Sequence, residues 1–445
     1  MPKSDPKPPR TPLESIYAWI ANEEDARVCR DISDKACREV PGNFFAYLAA
    51  NACTKVGDAL ANAKTTLPWA LGAIGAPVAL VGMLVPLRES GSLLPQLGIA
   101  VWVRRQAIRK TFWILGSLGQ AASLALMALA VLALEGWPGG LALLAALAAF
   151  SLCRGLASVA SKDVLGKTIP KERRGRLSGW TEAAAGVLVV GVSLLLFFLS
   201  GEGSARIYAG LFGIAAVLWI AGAALFATIR EFPGETDGGK SGLREAFRQL
   251  ALLRDDKPFR RFVVVRSLLL CSALTAPFFI VLSREAQGDS MRMLALFIFA
   301  NGIASSLSAP LWGNFADRSS RRVMQAAAVL TAAVAGVAAF SYLYLESLAA
   351  ATAWYPFLFG ILGIAHAGVR LGRKTYLVDL GRGNKRTAYV AVSNTLIGAV
   401  LLFTGLLTSI LAAWSPVGAI LTLSALGLAG AVLASSLPEV QKSGA

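Results

Sequence analysis

Twelve apolar runs of about twenty residues, spread over nearly the whole chain, constrain this sequence more than any other feature. A helix rises about 1.5 Å per residue and the hydrocarbon core of a bilayer is roughly 30 Å thick, so each run can span it. Within lipid every backbone polar group must be satisfied by the chain itself, and a helix does this inside one segment. The runs in the first half are 43–71, 77–103, 111–134, 141–160, 177–200 and 207–229. Those in the second half are 262–282, 293–315, 323–345, 354–377, 387–411 and 416–437. The first run is the least apolar and the easiest to miss by hydropathy. The expected architecture is all-α and integral to a membrane, with twelve transmembrane helices in two pseudo-symmetric six-helix bundles, 43–229 and 262–437. A segment 1–42 precedes them, a polar loop 230–261 joins them, and a tail 438–445 follows.

The charge distribution gives the orientation. The chain carries 43 Lys and Arg against 27 Asp and Glu, a net +16, which fits either nucleic acid or membrane topology. With the N-terminus placed in the cytoplasm, the inner segments hold 35 of the cations and the outer loops only three, Arg206, Arg284 and Arg292. This is a positive-inside signal that puts both termini in the cytoplasm, in a bacterial inner membrane. No single tract concentrates the charge, so nucleic acid is not an expected partner. Residues 13–40 have Leu13, Ile16, Trp19, Ile20, Val28 and Ile32 interleaved with acids, which reads equally as an amphipathic helix on the inner surface or a partly ordered tail. Five cysteines, none in an outer loop, argue against a disulfide framework and for apolar packing.

Short basic loops recur at matching places in both halves, at 104–110 and 162–176 and again at 318–322 and 370–386. Parallel six-span halves are a transporter architecture. The segment from Gly313 through Asp317, Arg318, Arg321 and Arg322 resembles the loop motif of the major facilitator superfamily, Gly-x-x-x-Asp-Arg/Lys-x-Gly-Arg/Lys-Arg/Lys. Ser320 replaces its second glycine, and the first-half copy has Trp102 where the acid would stand. The resemblance covers the chain from Asn43 onward and implies that Asp317 and Arg318 steady one conformational state. Physically, Gly313 permits close approach of a neighbouring helix. Asp317 at a helix C-terminus needs a cation or a helix N-terminus to stay ionised.

Ionisable groups inside spans are expensive, at roughly 2.5–3.5 kcal/mol each on insertion scales, and point to function. Tyr47, Asn51, Thr54, Lys55, Asp58 and Asn62 share one face of the first span. By the family's arrangement that face would line the substrate path, together with the fourth, seventh and tenth spans. In the second span Pro86, Gly91 and Pro95 interrupt the helical ladder near mid-depth, around Arg88 and Glu89. Asp58 with Arg88 and Lys55 with Glu89 are the expected pairs. Glu89 and Asp58 are the candidate proton-carrying carboxyls, because burial raises a carboxyl's proton affinity and a neighbouring cation lowers it. Arg154 and Arg266 have no acid within a turn, which suits either an anionic substrate or snorkelling to the interface. His366, the only histidine, has Arg370 one turn on.

Gly166, Lys167 and Thr168 mimic the end of a phosphate loop, but position 161 is Ser161 and the context is a membrane helix rather than a strand. No multi-histidine metal site or hydrolase elbow is present, so no enzyme activity and no cofactor are expected. The expected function is secondary active transport of a small solute, an organic anion by the excess of intramembrane cations, with proton coupling, a lipid bilayer as surroundings and a monomeric state. A lipid or lysolipid transporter and a non-transporting sensor or scaffold are the alternatives.

Overall fold

The structure is a computed structural model that describes residues 17, 34–198, 201, 203–234, 236, 252–381 and 385–440. Twelve helical spans occur, and no strand is present among the described residues. In the first half they are α1 (Val40–Leu60), α2 (Val81–Leu93 continued by Gln96–Arg104), α3 (Lys110–Ala133), α4 (Gly136–Thr168), α5 (Lys171–Phe198) and α6 (Ala205–Ala227). In the second half they are α7 (Lys257–Gln287), α8 (Met291–Arg318), α9 (Ser320–Tyr344), α10 (Trp354–Leu380), α11 (Lys385–Trp414) and α12 (Pro416–Ala434). Eleven helices are long and apolar enough to cross a membrane by length and composition, and α1 is not among them. The polar stripe that lowers its hydropathy is the reason.

Three expected spans are broken, α2 among them, between Leu93 and Gln96. The run 43–71 ends as a helix at Leu60 and resumes as Thr66–Ala73. α7 is interrupted at Leu269 to Leu270 and again at Thr275, where Pro277 follows one residue into the next helical piece. Pro86, by contrast, does not break α2, because the helix runs on to Leu93 and the ring packs where Gly405 of α11 has no side chain. The loops expected at 162–176 and 370–386 are largely helical extensions, since α4 runs to Thr168 and α10 to Leu380. Pro170 stands in the short break between α4 and α5, and Gly381 follows the end of α10.

The halves repeat one packing plan. α3 packs on α4 and α6, and α1 on α6; α9 packs on α10 and α12, and α7 on α12. The bundles meet along α2 with α11 and α5 with α8. Glycines allow the first contact: a Cβ at Gly82 would lie 2.6 Å from Ser409 Oγ, and the Ser90 hydroxyl donates to the Gly398 carbonyl at 2.7 Å. The halves also meet at the face opposite the basic loops, called here the far face. There the Thr66–Ala73 helix touches the last segment of α7, and the Met291 amide donates to the Gly201 carbonyl at 3.2 Å.

The amphipathic segment 13–40 lies mostly outside the described residues. Tyr17 packs edge-on against Phe44, and Asp34–Arg38 is a short helix. Cys53, Cys153 and Cys271 are free and packed among helices, but Cys37 is disulfide-bonded. The expectation of packing roles therefore holds for those three and not for Cys37.

Candidate functional site

A cavity of about 230 Å³ lies between the bundles, midway along the helices. α1 and the break after it supply Asp58, Asn62 and Lys64, α2 supplies Arg88 and Glu89, and α4 supplies Arg154. Across from them α7 supplies Ser272, α8 supplies Asn301 and Ser305, and α10 supplies Phe359, His366 and Arg370.

Asp58 is the hub of the first-half wall. Arg88 Nη2 donates to Asp58 Oδ1 at 2.9 Å, and Arg154 Nη1 donates to Oδ2 at 2.6 Å. The Asp58–Arg88 pair is the one expected from the sequence. Arg154 does not stand alone as its own turn suggests, because its acid comes from a different helix. The Arg88 guanidinium also lies 4.5 Å from the centre of the buried Phe150 ring, a cation–π contact that fixes its plane.

Lys55 does not pair with Glu89. It forms a salt bridge with Glu182 of α5, a residue that sequence reasoning missed. Three residues separate Lys55 from Asp58, and the helix turns Lys55 toward α5 and Asp58 toward α2 and α4. The rest of the stripe divides likewise. The Tyr47 hydroxyl meets Ser161 Oγ of α4 at 2.6 Å, and Asn51 donates back to the Tyr47 carbonyl at 2.8 Å. Only Asp58 and Asn62 of that stripe reach the cavity.

Glu89 is exposed in the cavity, and its carboxylate has no hydrogen bond or salt bridge among the described residues. Lys64 lines the same space. Its backbone N–H donates to Asn62 Oδ1 at 2.8 Å within the break after α1, and its ammonium has no salt bridge among the described residues. His366 Nδ1 lies 3.1 Å from Ser272 Oγ, which ties α10 to α7 on the cavity wall.

Arg266 is not a cavity residue. It is 7% exposed, and it donates to Ser393 Oγ at 2.6 Å and Asn394 Oδ1 at 3.0 Å on α11. Neither anionic contact nor snorkelling describes it; the rotation of α7 turns it against α11.

No family model matches the chain. Two uncharacterized proteins, of Mycobacterium bovis and Mycobacterium tuberculosis, are 25% identical over 292 residues, covering 64% of this chain. The chain spans about half the length of these curated relatives, at 55%. Among solved structures, a D-xylose-proton symporter superposes with a TM-score of 0.66 at 14% identity, covering 90% of this chain and 98% of that one. A mutant form of the nucleoside transporter NupG gives 0.67 at 13%, covering 88% and 98%. The POT family transporter PepTSo gives 0.67 at 12%, covering 89% and 97%. This chain has the major facilitator fold.

The segment 313–322, expected to act as a loop motif, is placed differently from expectation. Asp317 and Arg318 are exposed, and neither has a partner among the described residues. A Cβ at Gly313 would meet nothing within 4 Å, so the close approach expected there is absent. It occurs one helix away, where a Cβ at Gly368 would lie 2.6 Å from the Trp312 ring and one at Gly372 would lie 2.8 Å from Met324. Ser319 caps α9 by accepting from the Arg322 amide at 3.2 Å. Arg321 reaches the end of α12, donating to the Leu437 carbonyl at 2.9 Å and pairing with Glu439 at 3.5 Å. Arg321 is thus the motif cation that joins two helices here.

Proposed function

We propose that this protein is a secondary active transporter that moves a small anionic organic solute by alternating access, coupled to protons through Glu89. The observation that carries this reading is the central cavity itself. Both bundles wall it at mid-depth, and its lining sets Lys64, Arg88, Arg154 and Arg370 against Asp58 and Glu89. Repeat-built carriers of this architecture bind their cargo at the interface of the repeats and rock around it. Two guanidiniums engage Asp58, whereas Glu89 is free to exchange a proton with the cavity. A cavity of about 230 Å³ suits a small solute, and its polar lining suits a hydrophilic one.

Several further supports are consistent with this. The solved neighbours include a D-xylose-proton symporter, a nucleoside transporter and POT family transporters. Contacts between the halves at the far face describe a state closed on that side. The concentration of Lys and Arg in the loops of the other face favours placing that face, and both termini, in the cytoplasm of a bacterial cell. The polar lining weighs against a lipid or lysolipid cargo, which calls for an apolar cavity open to the bilayer.

Uptake of small organic anions into proteoliposomes, with and without an imposed pH gradient, tests the proposal. Accumulation is expected only with the outside acidic relative to the lumen when the protein faces right side out. Flux that ignores pH for every transported solute would remove the proton from the mechanism.

A further inference from the structure

We propose that a cleft between the halves at the far face binds the headgroup of an amine-bearing zwitterionic lipid, with its primary ammonium on Glu285 and its acyl chains along α11. The cleft is separate from the central cavity, and binding there does not depend on what the cavity carries.

The cleft has a volume of about 340 Å³ and is walled by both halves. Pro77, Val78 and Trp137 stand on one side, at the starts of α2 and α4. Glu285, Trp414 and Pro416 stand on the other, at the end of α7 and around the turn from α11 to α12. Glu285 is exposed, and it is the only charged residue of the lining among the described residues. Its Oε2 accepts from the Tyr342 hydroxyl of α9 at 2.7 Å. The carboxylate has no salt bridge among the described residues, and Oε1 remains an acceptor. Arg284, the next residue back, does not supply a cation, because Asp289 holds its guanidinium beside Trp69.

A carboxylate set between two indoles suits an ammonium. The acid pairs with the charge, and the indole faces attract the cation. A primary ammonium also brings N–H donors for the free oxygen, which a quaternary one lacks. The starts of α4 and α12 stand at the rim of the cleft, and the positive ends of their dipoles favour the phosphate of the same headgroup. A zwitterion is thus matched at both charges, whereas an anionic lipid meets Glu285 without a cation of its own.

The surroundings select a lipid over a soluble amine. Trp137 and Trp414 are exposed, Trp414 at 89%, and tryptophans at helix ends sit at headgroup depth in a bilayer. Phe403, Leu407, Ile410 and Trp414 are all exposed and recur at spacings of four, three and four. They form one apolar stripe of α11 that runs from the cleft toward mid-membrane. On α4, Leu141 continues Trp137 one turn further in. α2 packs on both α4 and α11, so the two stripes border the same seam between the halves.

The test uses the full-length protein in detergent and four probes: dioleoyl phosphatidylethanolamine, phosphatidylcholine and phosphatidylglycerol, and free ethanolamine. An occupant of the cleft touches both halves, so the unfolding temperature reads its binding. The ethanolamine lipid is expected to raise that temperature most and to be retained longest in native mass spectra. E285Q removes the charge while keeping an acceptor for Tyr342. It is expected to weaken the ethanolamine lipid roughly tenfold and to abolish its advantage over the choline and glycerol lipids. W414L is expected to weaken it about threefold. Both residues are exposed, so the lipid-free variants are expected to unfold with the parent. Equal affinity for the three lipids in the parent, or an advantage of the ethanolamine lipid that survives both variants, would overturn the proposal. Stabilisation by free ethanolamine at the same concentrations as the lipid would assign the cleft to a soluble amine and overturn the lipid.

Discussion

The guanidinium carbon of Arg284, at the end of α7, lies 5.6 Å from the ring centre of Trp69, a fully buried residue of the other half. Asp289 holds the same guanidinium from Nε and Nη2 at 2.5 Å each. The notch that receives it exists because residue 72 is glycine: a Cβ there would lie 1.2 Å from Arg284 Nη1. This contact joins the halves at the far face, where the proposed transport cycle requires an opening to release or load cargo.

Gly72→Leu is therefore expected to expel the Arg284 side chain and favour the state open at the far face. A desolvated cation–π contact is worth about 2 kcal/mol, so the ratio of the two states should shift by roughly 30-fold. Arg284→Ala should act in the same direction. Labelling of a cysteine placed at Gln287 by a membrane-impermeant reagent, faster in both variants than in the parent, checks it. Equal labelling rates would show that the contact does not hold the far face shut.

Asp58 and Glu89 should separate cleanly under mutation, although they are both cavity acids. Asp58→Asn leaves Arg88 and Arg154 facing each other without their shared carboxylate, and Arg88 is only 12% exposed. Removing the shared partner of these partly buried guanidiniums should cost about 1–3 kcal/mol. Glu89→Gln removes no direct contact and should change stability by less than ~1 kcal/mol. Unfolding of both variants in the same detergent, followed by intrinsic tryptophan fluorescence, makes the comparison.

Glu231 and Glu439 form a hidden repeat. Lys110, at the start of α3, donates to the carbonyls of Ala227 and Ile229, and Glu231 follows two residues later. Arg321, at the start of α9, donates to the carbonyls of Ser435 and Leu437, and Glu439 follows two residues later. Glu231 accepts from the Arg109 and Lys110 amides and from Lys167, and Glu439 accepts from the Ser319 hydroxyl. Each half thus closes the end of its sixth helix onto the start of its third. Both acids interact favourably with a helix N-terminus. The Glu231 side chain is fully buried and that of Glu439 is 16% exposed, so Glu231→Ala should destabilise more than Glu439→Ala. Thermal unfolding of the two variants side by side decides the order.

The spans were legible because only length and apolarity are needed to recognise them, and the Asp58–Arg88 pair because charges are so rare inside lipid. What failed was whatever depended on helix rotation. Lys55 and Arg266 lie on the faces of α1 and α7 that turn toward α5 and α11, and no single-helix pattern states which neighbour stands there. Glu182 went unnoticed within an otherwise apolar run for the same reason. Lys64 gained its place from the break after Leu60, where the sequence reads as one continuous span. Glu231 sits in a loop, and loop sequence does not announce which helix terminus it will reach.

Lys55 and Glu182 provide a test of whether a charge pair away from the cavity takes part in the cycle. Their side chains are 35% and 68% exposed, so the pair belongs to the class worth about 0–1 kcal/mol to stability. Neutralising either residue should leave the unfolding transition nearly unmoved. Because the pair joins α1 to α5, and α5 is the helix of the first half that packs on α8 of the second, its expected effect is on transport rate. Glu182→Lys should slow flux several-fold through repulsion with Lys55, and the exchanged pair Lys55→Glu with Glu182→Lys should recover it. Recovery in the double variant at unchanged stability would assign the pair to the conformational cycle, because two independent surface charges would give additive losses instead.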